Sequence, residues 1–347
     1  MRAAVYHGPG DVRVGTVPDA PAPGPGEVTI GVRLCGLCGT DAHEFAHGPA
    51  MIPLHTRHPA SGHLGPMVPG HEFMGVVTAT GRGAAIAPGT RVVAGAGRWC
   101  GRCPACAGGR TNLCHSYNTH GLNRDGGLAE YVTVPAAMCA VVPDGCADED
   151  AVLAQPLAIA LHALNRSGAG PGDPVVVFGA GGIGTLLIAA AAFRGTPVHV
   201  LDVDPERLET AVALGAASAR IADAAGLDAV RTLGRTGAPV VIEASGAAAG
   251  LRDALRVTGA GGRVVLLGLP STAPEVDVRG AVVAEVDLIS TSAHVCASDL
   301  PEAVAALDAR PIAGLVVDRV VPLEEVVAGA LAPLAAGRLR GKAVVRV

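Results

Sequence analysis

The chain has no apolar run long enough to cross a bilayer: the stretch Leu186 to Phe193 stops well short of the roughly 20 residues a spanning helix needs. Nor does its amino terminus resemble an export signal, and the two absences point to a cytoplasmic protein with no membrane partner. Charge is sparse. Only 16% of the 347 residues are charged, the formal net charge is −5, and no long basic run occurs, which argues against nucleic acid as the main partner. Short-period repeats are missing as well. Half of the chain is hydrophobic and it holds 48 Gly and 26 Pro, which fits a compact, loop-rich globular protein rather than a disordered one. Its length suggests two domains, each with a sizeable core.

Nine cysteines, an odd number, in a chain without an export signal are expected to stay reduced, and clustered thiols then bind metal more often than they pair as disulfides. Cys100, Cys103, Cys106 and Cys114 form C-x2-C-x2-C-x7-C in a Gly- and Pro-rich loop. Four thiolates meet the tetrahedral demand of a closed structural zinc site, with disulfides or an iron–sulfur cluster as the alternatives. Cys35, Cys139, Cys146 and Cys296 read as packing residues.

From Met1 to about Val142, short apolar stretches (Ala3 to Tyr6, Glu27 to Leu34, Phe73 to Ala79, Arg91 to Ala94, Tyr131 to Val134) are broken by Pro and Gly, a pattern of short strands in a barrel-like β domain. Met51 to Pro69 reads as a long surface loop. From about Asp148 helices and strands alternate, which implies a parallel sheet covered on both faces. The expected elements are a helix over Glu149 to Arg166 interrupted at Pro156, strands at Val175 to Phe178, Val198 to Asp202, Val240 to Ala244 and Val264 to Leu267, and helices at Thr185 to Phe193 and Pro205 to Leu214. Val264 to Leu269 and Ala281 to Ile289 read as strands able to extend a sheet across a two-fold axis. The expected division is residues 1–155 with a cysteine lobe at about 95–118, residues 156–294, and a return of 295–347 to the first domain.

Val175 to Phe178 runs into Gly179-Ala180-Gly181-Gly182-Ile183-Gly184, a G-x-G-x-x-G pattern that opens a helix. Such glycines let backbone N–H groups and the helix N-terminus approach a pyrophosphate. Asp202, about eighteen residues beyond Gly184 at the end of the next strand, is placed to accept hydrogen bonds from an adenosine ribose. Its charge repels a 2′-phosphate, so NAD is favoured over NADP, although Arg207 lies nearby.

Cys38-Gly39-Thr40-Asp41-Ala42-His43 sets a thiol, a hydroxyl, a carboxylate and an imidazole along one glycine-containing turn, and Gly70-His71-Glu72 follows. With these motifs, the four-cysteine lobe, the glycine fingerprint with Asp202, and Gly341-Lys342, the chain resembles a medium-chain, zinc-dependent alcohol dehydrogenase over nearly its full length. Cys38 to Glu44, the Gly-Pro and Ile-Pro pairs that follow, and Pro156-Leu157-Ala158 are most similar to 2,3-butanediol and polyol (sorbitol-type) dehydrogenases.

The resemblance implies an α/β chain: a GroES-like β-barrel catalytic domain plus a Rossmann doubly wound parallel sheet domain, with a cleft between them. It implies a catalytic zinc on Cys38 and His71, with Glu72 as a direct or exchangeable ligand, which fits the need of an open zinc site for about three protein ligands. Thr40 then takes the substrate hydroxyl proton and relays it through the nicotinamide ribose to His43. Ser245 resembles the loop beside the cofactor riboses, and Lys342 the basic contact to the pyrophosphate. One departure is Gln155, where butanediol- and polyol-type relatives carry a glutamate: either zinc is held by Cys38, His71 and Glu72 with water, or Gln155 is a weak ligand and zinc affinity falls. The implied activity interconverts a secondary alcohol (a vicinal diol, polyol or cyclitol) and its ketone with NAD, in a homodimer or homotetramer. A redox-neutral epimerase with tightly held NAD, and a non-catalytic zinc- and nucleotide-binding homologue, are the competing readings.

Overall fold

The computed structural model describes residues 1–270 and 272–347. The chain divides into two compact units, one formed by Met1–Ala158 and His294–Val347, the other by Ile159–Ala293. Residues 156–158, expected in the second domain, group with the first, and the chain changes unit inside the helix Ala154–Ser167. Among the described residues no helix is long and apolar enough to cross a membrane.

The first unit is built on Glu27–Gly36, whose Val28, Ile30 and Val32 alternate into a core shared with Phe73, Val77, Val92 and Val132; a register shift between Val32 and Leu34 then turns Cys35 into the same core. This strand pairs antiparallel with Glu72–Thr80, with Tyr131–Pro135 and with Lys342–Arg346. The sheet continues through Arg91–Ala94 to Cys139–Val141 on one side and to Val317–Pro322 on the other. The tail thus returns to this unit, and Asp150 fastens it by accepting the backbone N–H groups of Ile312 and Ala313 at 2.6 and 2.7 Å. The segment from Cys38, expected as a turn, is a helix, Gly39–His47. Asp41 explains the difference: its carboxylate accepts the Cys38 N–H at 2.8 Å and so closes the first turn.

The second unit is a six-stranded, all-parallel sheet in the order Ser218–Ile221, Val198–Asp202, Val175–Phe178, Ala238–Glu243, Thr258–Leu266, Asp287–Ser290. In sequence order that is 3-2-1-4-5-6, the doubly wound arrangement, and its switch point falls between Val175–Phe178 and Ala238–Glu243. Val175 to Phe178 is buried along its whole length, as a strand covered on both faces must be.

Two expectations need correction. The break near Pro156 lies just before it, between helices Asp148–Ala151 and Ala154–Ser167, and the proline sits in the first turn of the second, where no helical N–H is lost. Ala281 to Ile289 is not one strand. Val278–Val283 is a helix capped by Asp277, whose carboxylate accepts the Gly280 N–H at 2.8 Å, and only Asp287–Ser290 joins the sheet.

Candidate active site

Gly36 pairs with Glu72 on one side and with Val344 on the other, and the Leu37 N–H donates to the Ala343 carbonyl at 2.9 Å. Antiparallel pairing therefore gathers one strand end and two strand starts. The chain leaving the first strand delivers Cys38, the chain entering the second delivers His71 and Glu72, and the third opens with Lys342. Ligand atoms of Cys38, His71 and Glu72 lie within 4.8 Å of one another. Gly70 makes the approach possible: its φ is +91°, and a Cβ there would meet Cys35 Sγ at 2.6 Å.

Asp41 governs both the thiol and the imidazole. One oxygen accepts the Cys38 N–H, and the other faces His71 Nδ1 at 3.4 Å, an ion-pair distance that leaves the second ring nitrogen for the ligand cluster. Burial opposes charge on His71, yet Asp41 and then Cys38 raise its pKa well above the ordinary value. Burial likewise resists ionisation of Cys38, but the hydrogen bond and charge of His71 outweigh it and hold the thiol below its usual range. Sequence motifs name Asp41; its role became visible only through this pairing.

Glu72 Oε1 accepts from Lys342 Nζ at 2.6 Å, both groups buried, while Glu72 Oε2 has no hydrogen-bond partner. Burial disfavours the Lys342 charge, but Glu72 and Cys38 more than restore it and raise the pKa. Lys342, which the resemblance sets against the pyrophosphate, is buried in the first unit with its ammonium paired to the Glu72 carboxylate. Gln155 lies in the first turn of Ala154–Ser167, buried, with Oε1 unpartnered. Thiol, imidazole and carboxylate in one buried cluster, with an orphaned carboxylate oxygen, fit a zinc ion that keeps an open position. Thr40 is partly buried, its Oγ1 3.8 Å from Cys38 Sγ, and His43 stands exposed three residues further along the same helix.

The cysteine lobe is a second donor set. Cys100, Cys103, Cys106 and Cys114 place their sulfurs within 4.8 Å of one another, and Cys103 and Cys106 are 3.5 Å apart, close to the roughly 3.8 Å edge of a tetrahedron with Zn–S bonds of about 2.3 Å. Backbone N–H groups of Cys100 and Ser116 donate to Cys114 Sγ at 3.2 and 3.3 Å, and those of Cys106 and His115 draw the Cys103 thiol down to about 6. The ladder Gly97–Arg98 with Asn118–Thr119 closes the lobe at its base. By contrast, burial pushes the thiols of Cys139 and Cys296 up to about 12, as suits packing residues.

In the second unit Gly179, with φ +96°, carries the chain past Ser245, whose Cα a Cβ would meet at 2.9 Å. A Cβ on Gly184 would lie 1.9 Å from the Gly179 carbonyl, so strand and helix can touch only through glycine. Gly181 caps the helix, and Gly182 and Ile183 form its first turn. Asp202 is buried, accepting the N–H groups of Ala180 at 2.6 Å and Asp204 at 2.9 Å; Arg207, half exposed, stands 3.8 Å from it. Sequence reasoning missed Glu243. Buried beside Phe178 at the switch point, it accepts the Ser245 and Gly246 N–H groups at 2.8 and 3.2 Å and sets the loop that flanks Gly179.

Residues 24–144 match the model of the alcohol dehydrogenase GroES-like domain and residues 182–309 that of the zinc-binding dehydrogenase domain. Among curated proteins the chain is 34% identical over 295 residues to (R,R)-butanediol dehydrogenase of Bacillus subtilis, covering 82% of each chain. It is 38% identical over 266 residues to L-threonine 3-dehydrogenase of Streptomyces avermitilis, covering 75% of each. Among solved structures it superposes on 2R,3R-butanediol dehydrogenase of Bacillus subtilis with a TM-score of 0.89 at 28% identity, covering 100% of this chain and 99% of that one.

Proposed function

The chain belongs to the medium-chain, zinc-dependent alcohol dehydrogenase family, and from that premise we propose that it interconverts a secondary alcohol (a vicinal diol, polyol or cyclitol) and its ketone with NAD. The observation that carries this reading is the convergence of Cys38, His71 and Glu72, held by Asp41. When bound, zinc supplies Lewis acidity to the substrate hydroxyl and the nicotinamide accepts hydride. Cys38 and His71 would hold the metal with Glu72 as its carboxylate ligand, which leaves the fourth position open; Gln155, whose buried carbonyl lacks a partner, is the weaker alternative donor. Thr40 Oγ1 receives the hydroxyl proton, and His43, on the same helix and open to solvent, releases it.

The glycine turn Gly179 to Gly184, with the first N–H groups of its helix, supports a pyrophosphate, and Ser245 flanks it. The Asp202 carboxylate stands at the end of the second strand, where it favours a ribose hydroxyl and disfavours a 2′-phosphate. Similarity to butanediol dehydrogenases supports vicinal diols as the first substrates to try. We assign self-association to the edge strand Asp287–Ser290, beside which Leu269, Val278, Val282 and Val283 are exposed.

The test is a panel of diols, polyols, hydroxyketones and cyclitols, each with NAD and NADP, run on wild type and Cys38→Ser. Reduced cofactor should appear with at least one secondary alcohol and vanish in Cys38→Ser. Substrate conversion with no net change in cofactor would favour an epimerase instead.

A further inference from the structure

We propose that His43 and His47 form a surface site for a divalent transition-metal ion, separate from the Cys38–His71–Glu72 cluster and from the cysteine lobe. His43-Glu44-Phe45-Ala46-His47 spells H-E-x-x-H within the helix Gly39–His47, so two imidazoles four residues apart share one helical face. Their ring centroids are 5.5 Å apart with planes inclined at 64°. Two imidazoles on one tetrahedral zinc, with Zn–N bonds of about 2.0–2.1 Å, have centroids about 5 Å apart, so rotation of the rings brings both lone pairs onto a single ion. Both residues are exposed, and they occupy the carboxyl-terminal half of the helix, where the helix dipole favours a cation.

The acid of the motif takes no part. Glu44 is buried, and its carboxylate accepts the N–H groups of Ala50 at 3.1 Å and Met51 at 2.5 Å, fastening the chain that follows the helix. Glu44 therefore does not serve as a general base beside the two imidazoles, as the acid of this motif does in peptide hydrolysis elsewhere. What remains is a two-ligand site completed by water, which fills and empties with the free metal concentration.

The consequence for turnover rests on the proposed function, in which His43 is the proton exit. A metal ion on His43 occupies the lone pair that the proton needs, so excess zinc should slow the reaction, reversibly on chelation. The experiment uses holoenzyme with both internal zinc sites filled, titrated with zinc chloride by calorimetry, and in parallel assayed for turnover. One further zinc ion per chain is expected to bind, with affinity reduced at least about tenfold in His43→Gln and in His47→Gln, since even loss of an outer-shell partner costs roughly 10–100-fold. Circular dichroism checks that each variant keeps its helices.

Absence of the extra binding, or binding unchanged in His47→Gln, would overturn the site. Inhibition, expressed against each variant's own rate, should be strong in wild type and weak in His47→Gln. If binding depends on His47 while turnover ignores the metal, the site stands and the proton role of His43 falls.

Discussion

Lys342 Nζ lies 2.6 Å from Glu72 Oε1 across 270 positions of sequence, and both side chains are buried. Lys342→Met leaves the carboxylate without its cation, and breaking a buried pair in this way costs about 3–5 kcal/mol. A zinc ion on Glu72 can replace the lost charge. The variant should therefore lose far more stability in chelator-treated protein than in zinc-loaded protein, as read by denaturant unfolding. An equal loss in both states would show that Glu72 does not serve the metal.

Asp41 touches both the Cys38 N–H and His71 Nδ1, so one substitution disturbs two of the proposed metal ligands. Asp41→Asn keeps an acceptor for the Cys38 N–H but removes the charge that orients the imidazole. Zinc affinity at the catalytic cluster should fall about 10–100-fold, while the four-cysteine lobe keeps its metal. Metal analysis after graded chelation separates the two: the variant should drop from about two zinc ions per chain to about one before wild type does.

These pairings mark the limit of what the sequence discloses. Val175 to Phe178 and the glycine turn after it were legible because an all-apolar strand and a steric demand for glycine are local properties. The helix Gly39–His47 was not, since Gly39 and Thr40 at its start read as a turn until Asp41 is seen to cap it. Val282 and Val283 suggested a strand through their branched side chains, yet the Asp277 cap makes them helical and leaves them exposed. The strand Ser218–Ile221 escaped notice because it is a half-exposed edge carrying Arg220. The chemistry-bearing residues themselves were readable as motifs. Their partners, Lys342 for Glu72 and Asp41 for His71, depend on strand register that no local pattern encodes.

The proposed preference for NAD turns on Asp202. Its oxygens already hold the N–H groups of Ala180 and Asp204, which fixes the carboxylate at the strand end and ties it to the glycine turn. Asp202→Asn should lower kcat/KM for NAD about 10–100-fold, since a hydrogen bond to a charged group is worth about 1.5–3 kcal/mol. Use of NADP should suffer less, because repulsion of a 2′-phosphate is relieved and Arg207 stays nearby. The measured quantity is the ratio of the two kcat/KM values, and a ratio unchanged from wild type would remove Asp202 from the discrimination.

The buried His120 makes acid stability testable. Its Nδ1–H donates to the Asp125 carbonyl at 2.9 Å and its Nε2 has no partner, so the ring is held neutral. Burial, and then the charges of Arg124 and Arg98, push its pKa from 6.5 to about 3, with the Asp125 carbonyl opposing in part. Above pH 6.5 neither the folded nor the unfolded chain protonates this ring. Between 6.5 and 3 only the unfolded chain does, so stability falls as pH drops, by about 1.4 kcal/mol per pH unit from this group alone. His120→Asn can keep an N–H for Asp125 but cannot titrate. Urea unfolding of metal-loaded protein at pH 7 and pH 5 should therefore show the variant gaining on wild type by roughly 2 kcal/mol as the solution is acidified. Parallel behaviour of the two proteins would mean that His120 takes up its proton in the folded state.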